Sequence, residues 1–244
     1  EKPPGRSAGD AMRMAEAAAS APGCVLKFGF NHRLHSSVQE AVALLDSGQF
    51  GRVVCARGVY GKAGAPDFPS QWRSDRKKAG GGILLDQGIH MLDLLLYFMG
   101  DLHLIKSVVE NYVWKEIPME DNAMALLRTA GGRAAFFHSS VTQWRHLFRL
   151  ELLCEQGYIH LEGLNTGTMS YGEETVRAGY KDLDQSTGKL GMPSEQVYYF
   201  SSDHSWALEM REFTDAIRCG KPVVHGTPAD AVRLMRLVEE IYAA

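Results

Sequence analysis

The 244-residue chain is short of several things, and each shortage removes a class of protein. No Gly-x-Gly-x-x-Gly follows a strand, so the chain carries no backbone cradle for a dinucleotide pyrophosphate at a helix N-terminus. There is no Gly-x-Ser-x-Gly elbow, no P-loop and no His-Glu-x-x-His, the signals of serine hydrolysis, phosphoryl transfer and zincin chemistry. The cysteines Cys24, Cys55, Cys154 and Cys219 are scattered, with no Cys-x-x-Cys. That argues against a zinc cluster or a disulfide frame and predicts reduced thiols in a cytoplasmic protein. No basic block exceeds Arg76-Lys77-Lys78, and a net charge of -3 gives no electrostatic reason for nucleic acid or anionic membrane as a partner. No apolar run reaches the roughly 18 residues of a membrane span. The opening Glu1-Lys2-Pro3-Pro4-Gly5-Arg6 lacks the apolar core of a signal peptide, and it lacks a methionine, so the chain is expected to be cut from something longer.

What is present suits a globular protein with a sizeable core: 45% hydrophobic and 23% charged residues. Ser7 followed by Asp10 marks a helix start, and the Ala/Met-rich stretch runs to Pro22-Gly23. Val25 to Phe30 reads as a buried strand, which makes residues 1–30 a fragment of a parallel α/β unit. Residues 31–244 have a different character. Ser36 with Gln39 matches a capping box before a helix closed by Gly48. Val53 to Tyr60 reads as a strand, a Gly/Pro-rich loop follows from Gly61 to Gly82, and residues 83–97 form an apolar helix stopped by Gly100. Strands are expected at Leu104–Val113, Ala123–Thr129, Arg133–Val141 and Leu147–Cys154, the middle two joined by a hairpin at Ala130-Gly131-Gly132. Residues 163–202 are polar and Gly-rich with short strand-like pieces such as Val197 to Phe200. Two helices close the chain, one from about Ser205 to Arg218 and one from Thr227-Pro228 to Tyr242. The fold class is therefore mixed α/β (α+β): the C-terminal end of a nucleotide-binding unit, then a large open, mainly antiparallel sheet backed by helices. The final helix is free to return to the first part.

The chemistry concentrates in one stretch. Gly80-Gly81-Gly82 leads into Asp86, Gly88 and His90, and Asp86, His90 and Asp93 stand at i, i+4 and i+7, one face of a regular helix. Neighbours such as Leu84, Leu85, Leu92, Leu94, Leu95 and Leu96 make the rest of that helix apolar, and polar groups on a buried helix are costly unless paired. Asp86 and His90 either satisfy each other or do chemistry; in the chemical reading His90 is a general base and Asp86 orients its ring. Asp93 reads as structural. The glycines clear space for a ligand or another backbone to approach. His32 and His35, in a polar loop, are the one histidine pair at metal-ligand spacing, and the expectation is that they hold no metal. Trp144, Tyr158, Tyr198 and Tyr199 read as sheet and core aromatics.

The glycine run together with Asp86, Gly88 and His90 is specific. With Glu1-Lys2-Pro3, Gly29-Phe30-Asn31-x-Arg33, Asp46-x-Gly48-x-x-Gly51 and Trp72-Arg73 in the same order, it resembles the glucose-fructose oxidoreductase / inositol dehydrogenase (Gfo/Idh/MocA) family along the whole chain. The resemblance implies a Rossmann domain followed by an α/β domain whose open sheet carries subunit contacts, hence a homo-oligomer. It implies NAD or NADP as cofactor and a sugar, polyol or sugar nucleotide as substrate. It places Lys2 between nicotinamide and substrate, with Lys2-Pro3 cis in many members, and Asp86 with His90 as the catalytic and substrate-binding pair. Glu1, Lys2, Trp72 and Arg73 would face the cofactor, and Arg33 is a candidate for substrate contact, against a surface salt bridge as the plain alternative. The family's Gly-x-Gly-x-x-Gly lies upstream of the Glu-Lys-Pro motif, so this chain alone is expected to bind the cofactor poorly. Two rivals stand beside this reading: a non-catalytic sugar-binding or assembly module, and a metal-dependent isomerase or lyase using Asp86, His90 and Glu120.

Overall fold

Strands with alternating inward and outward residues, clearest in the stretch from 123 to 139, build one large sheet. The structure, a computed structural model, describes residues 1–181, 183–184, 189–190 and 194–244. The sheet has eight strands: β1 (Val53–Ala63), β2 (His103–Glu110), β3 (Asn122–Arg128), β4 (Ala134–Ser140), β5 (Thr142–Cys154), β6 (Gly157–Glu162), β7 (Glu174–Tyr180) and β10 (Glu195–Phe200). A two-residue pair, β8 (Leu183–Asp184) with β9 (Lys189–Leu190), stands apart. The order is β10-β7-β6-β5-β1-β4-β3-β2. Only β1 with β4 is parallel; the other neighbours in the large sheet are antiparallel, as the alternation predicts. The hairpin at residues 130–132 is present, closed by Gly132 N–H donating to the Thr129 carbonyl. The polar 163–202 stretch supplies β7 and β10, and its residues 182, 185–188 and 191–193 lie outside the described residues.

α2 (Ser36–Asp46), α4 (Ile89–Met99) and α6 (Pro228–Ala243) pack on this sheet, with α1 (Ala8–Ala19) on α6, α5 (Ser205–Cys219) against the turn at Asn31–Leu34, and a single turn, α3 (Arg76–Ala79), in the loop after β1. The final helix does return to the first part: Glu239 on α6 accepts the Ala8 N–H of α1 at 2.7 Å. Its own start is set by Thr227, whose hydroxyl accepts the Asp230 N–H while Asp230 reaches back, with Pro228 in the first turn. α4 is buried from Ile89 to Leu96 because it lies flat on β1. Gly58 makes that approach possible, since a Cβ there would collide with Met91.

Three local expectations change. Residues 25–30 enter no sheet; Phe28 N–H donates to the Gly226 carbonyl and Phe30 N–H turns back to the Phe28 carbonyl, so the segment is a tie without a ladder partner. The capping box at Ser36 and Gln39 does not form. Glu174 from β7 takes the Ser37 N–H at 2.9 Å, and Gln39 turns to the Arg33 carbonyl. The helix at 83–97 is not regular: Leu84–Gly88 is a π-turn that passes into α4. The stretch Arg76–Met99 satisfies the length and composition of a membrane span, yet 78% of its apolar window is buried inside the protein, as in a core helix.

Candidate active site

The π-turn decides the geometry of the site. It inserts an extra residue into the helical repeat, so Asp86 is turned out of register with His90 and Asp93, which keep their i, i+3 spacing in α4; the single face of the spacing argument is broken at Asp86. Gly88 lets the turn press onto the sheet, where a Cβ would meet the Phe137 ring at 2.8 Å. The glycines of the 80–82 run are close to the chain's own groups: Tyr242 faces Gly81, and Glu120 faces Gly82. Glu120 is thereby committed to structure. It accepts from Leu84 N–H at 3.1 Å and from the Tyr242 hydroxyl at 2.7 Å, so the metal-site role considered for it has no support in its contacts.

Asp86 is the hub. Its Oδ1 lies 3.3 Å from Lys2 Nζ and 3.4 Å from Arg73 Nε, and its Oδ2 accepts from Lys62 Nζ at 2.7 Å. Lys2 also donates to the Asp86 backbone carbonyl, and the Lys2–Pro3 peptide is cis. Burial works against charge on Asp86, but Lys62, Lys2 and Arg73 outweigh it and hold the carboxyl at about 2. Burial lowers Lys2 from the ordinary lysine range; Asp86 opposes that, and Arg73 and Lys62 add to it. Arg73 stacks on Trp72 at 4.6 Å, and a cavity of about 230 Å³ opens between Pro3, Arg6, Trp72, Arg73 and Asp86.

His90 sits one turn on, buried, with Nδ1 lacking any hydrogen-bond partner. Asp86 makes no hydrogen bond to it, so the orienting role given to Asp86 is not borne by contact: its oxygens are taken by the cations. The His90 ring is held instead by stacking on His32 at 3.8 Å and 21°. Burial, reinforced by the charge of Lys2 and opposed by that of Asp86, keeps His90 well below the usual imidazole range, so it is neutral at physiological pH. His32 is bonded to Asn31 and to the Tyr60 hydroxyl, and His35 to Glu174, so the two histidines face different partners.

Arg33 is elsewhere. Its guanidinium is 3% exposed, paired with Asp93 at 2.6 and 2.8 Å and with Asp230 at 3.2 Å, and stacked on Tyr97. This is a buried pairing rather than the surface bridge expected as the plain alternative, with the guanidinium held by two carboxylates and one ring; Asp93 serves that pair, in keeping with its mid-helix position. Glu1 is exposed beside Gly29 and lines a separate cavity of about 320 Å³ with Lys27, Phe28 and Trp206.

The residue that sequence reasoning misses is Lys62. Period-2 alternation along β1 puts Gly58, Tyr60 and Lys62 on the inward face, a signal hidden by reading Gly61 as the start of a loop. Gln87 and Tyr171, bonded to each other at 2.6 Å, are missed as well, since nothing in the sequence links two residues so far apart.

A mixed open sheet with a π-turn that delivers an aspartate to two lysines defines a mixed α/β domain. The family model for the GFO/IDH/MocA C-terminal domain matches residues 38–160, half of the chain, and the chain belongs to that family. Levoglucosan dehydrogenase of Pseudarthrobacter phenanthrenivorans is 28% identical over 134 residues, 54% of this chain and 34% of that protein. 1,5-Anhydro-D-fructose reductase of Ensifer adhaerens is 34% identical over 149 residues, 58% of this chain and 42% of that protein. The matched stretch thus spans less than half the length of either relative. Among solved structures, a levoglucosan dehydrogenase in complex with NADH and levoglucosan superposes with a TM-score of 0.80 at 18% identity, covering 98% of this chain and 68% of that one.

Proposed function

We propose that the complete protein carrying this chain is an NAD- or NADP-linked dehydrogenase or reductase acting on a sugar, polyol or sugar nucleotide. The observation that carries the reading is the convergence of Lys2 on Asp86, one turn before a buried His90 with an unpartnered ring nitrogen. Relatives named as sugar dehydrogenases and reductases support it.

The residues at hand fit the reactive end of a nicotinamide cofactor. Pro3, Trp72, Arg73 and Asp86 border a cavity of about 230 Å³, and Arg6 and Lys78 add positive charge to its rim. The cofactor, when bound, supplies a hydride acceptor or donor. The protein's part is proton and charge management. His90, neutral by burial, takes the proton of the substrate hydroxyl as the carbon loses hydride, and returns it in reduction. Lys2 donates a hydrogen bond to the same oxygen and polarises it. Asp86 anchors Lys2 and, by charge alone, favours the imidazolium that forms on His90.

Replacing His90 with alanine in the complete protein is expected to lower turnover about 10²–10⁴-fold while cofactor affinity is kept. Unchanged turnover would remove His90 from the mechanism.

The uncovered sheet face supports self-association. Val54, Ile105, Val108 and Phe136 are exposed there, around a shallow groove of about 560 Å³ that includes Met124 and Leu126. A dimer or tetramer by sedimentation velocity, dissociated by Phe136→Glu, is the expected outcome. Four free cysteines suit a cytoplasmic setting.

A further inference from the structure

Asp86 has two oxygens and three cations around it, and the way they are shared is informative. Lys62 takes Oδ2 at 2.7 Å, while Lys2 and Arg73 share Oδ1 at 3.3 and 3.4 Å. Lys62 is the tightest of the three and, at 17% side-chain exposure, the least exposed. It comes from the end of β1, a central strand, whereas Lys2 lies on an extended N-terminal segment and Arg73 in the loop after β1. Its ammonium also stands over the Phe68 ring at 5.7 Å, a contact that fixes the stem. The rigid partner of Asp86 is thus Lys62.

We propose that Lys62 is a positioning residue: it locks the Asp86 carboxylate from the sheet side, so that the other oxygen is presented to Lys2 and Asp86 serves Lys2 rather than His90. This rests on the dehydrogenase reading for its catalytic consequence, but not for the coupling itself. Without Lys62 the carboxylate loses its closest anchor against rotation about the Cβ–Cγ bond, and Lys2 keeps the Asp86 carbonyl but not a fixed carboxylate oxygen. Misplacement of a reacting group by about 1 Å is enough to cost on the order of 100-fold in rate. Lys62 also adds a like charge near Lys2 and an opposite charge to Asp86, in the direction of the shifts both groups show. The other groups facing this cluster are Arg73 from the loop, His90 from α4, His32 from the turn at residues 31–34, His146 from β5, and the Tyr60 and Tyr171 hydroxyls from the sheet side and the loop before β7.

The test is a carbon-13 NMR titration of the Lys2 side chain and the Asp86 carboxyl in the 244-residue chain, for the native sequence, Lys62→Met and Lys62→Arg. Lys62→Met is expected to raise both titrations, and Lys62→Arg to restore them. In the complete protein, Lys62→Met is expected to lower kcat about 10–100-fold and to move the alkaline limb of the pH profile upward, with Lys62→Arg recovering most of the rate. Lys2 and Asp86 titrations that do not move in Lys62→Met overturn the proposal, as does a Lys62→Met enzyme with native kcat. If the complete native protein oxidises or reduces no sugar with NAD or NADP, the dehydrogenase reading fails, and the NMR titrations alone decide the coupling.

Discussion

Two aspartate clusters hang from the same buried helical segment, and they are built on opposite plans. Asp93 meets Arg33 in a bidentate pair that Asp230 completes, with both partners 1–3% exposed and two carboxylates around one guanidinium. Asp86 meets Lys2, Lys62 and Arg73, with 17–46% exposure on the cationic side chains and three cations around one carboxylate. The first cluster is closed: its donors and acceptors are consumed by each other, and it can only hold α4 against the turn at Asn31–Leu34 and α6. The second is open and carries excess positive charge, and two of its members, Asp86 and Arg73, line a cavity. Burial and hydrogen bonding are common to both. Stoichiometry and access separate the structural cluster from the chemical one.

The largest expected effect comes from breaking the closed cluster. Asp93→Ala leaves a buried guanidinium with half its partners and should cost about 3–5 kcal/mol in urea unfolding, with the Asp86 cluster unaltered in the fraction that stays folded. A loss below 1 kcal/mol would mean that the pair is better solvated than its burial indicates.

The open cluster should show itself through pH. The Asp86 carboxyl titrates lower in the folded chain than in the unfolded one, so its contribution is present above about pH 4 and is lost as pH falls towards 2. The amount is about 2 kcal/mol, and Asp86→Asn should flatten the acid limb of the stability curve by that much. An unchanged acid limb in Asp86→Asn would place the stabilising charge elsewhere.

These contrasts also show what the sequence made legible. Alternation from Phe148 to Cys154 and the Gly-rich turn at residues 130–132 identified antiparallel strands, because a half-buried strand and a tight hairpin are both local patterns. Thr227-Pro228 and Ser7 with Asp10 marked their helix starts, because those caps are local. The family's motif residues led to Lys2, Asp86 and His90. Helical periodicity then misled, since a π-turn has no local sequence signature that distinguishes it from an α-turn and its register shift turns Asp86 away from Asp93. Arg33 was misread for a related reason: its partners stand 60 and 197 positions away, and only the fold brings them together. Lys62 was hidden by a strand that runs past the glycine which seemed to end it.

The most direct measurement of the central claim is NAD- and NADP-linked turnover of a sugar and polyol panel by the complete protein, alongside Lys2→Met. The account predicts reduction of cofactor with at least one cyclic sugar or inositol and, when Lys2 is replaced, a loss of about 10²-fold or more, on the order expected for removal of a donor that polarises the reacting oxygen. A native enzyme that turns over such a substrate equally well without the Lys2 ammonium would contradict it.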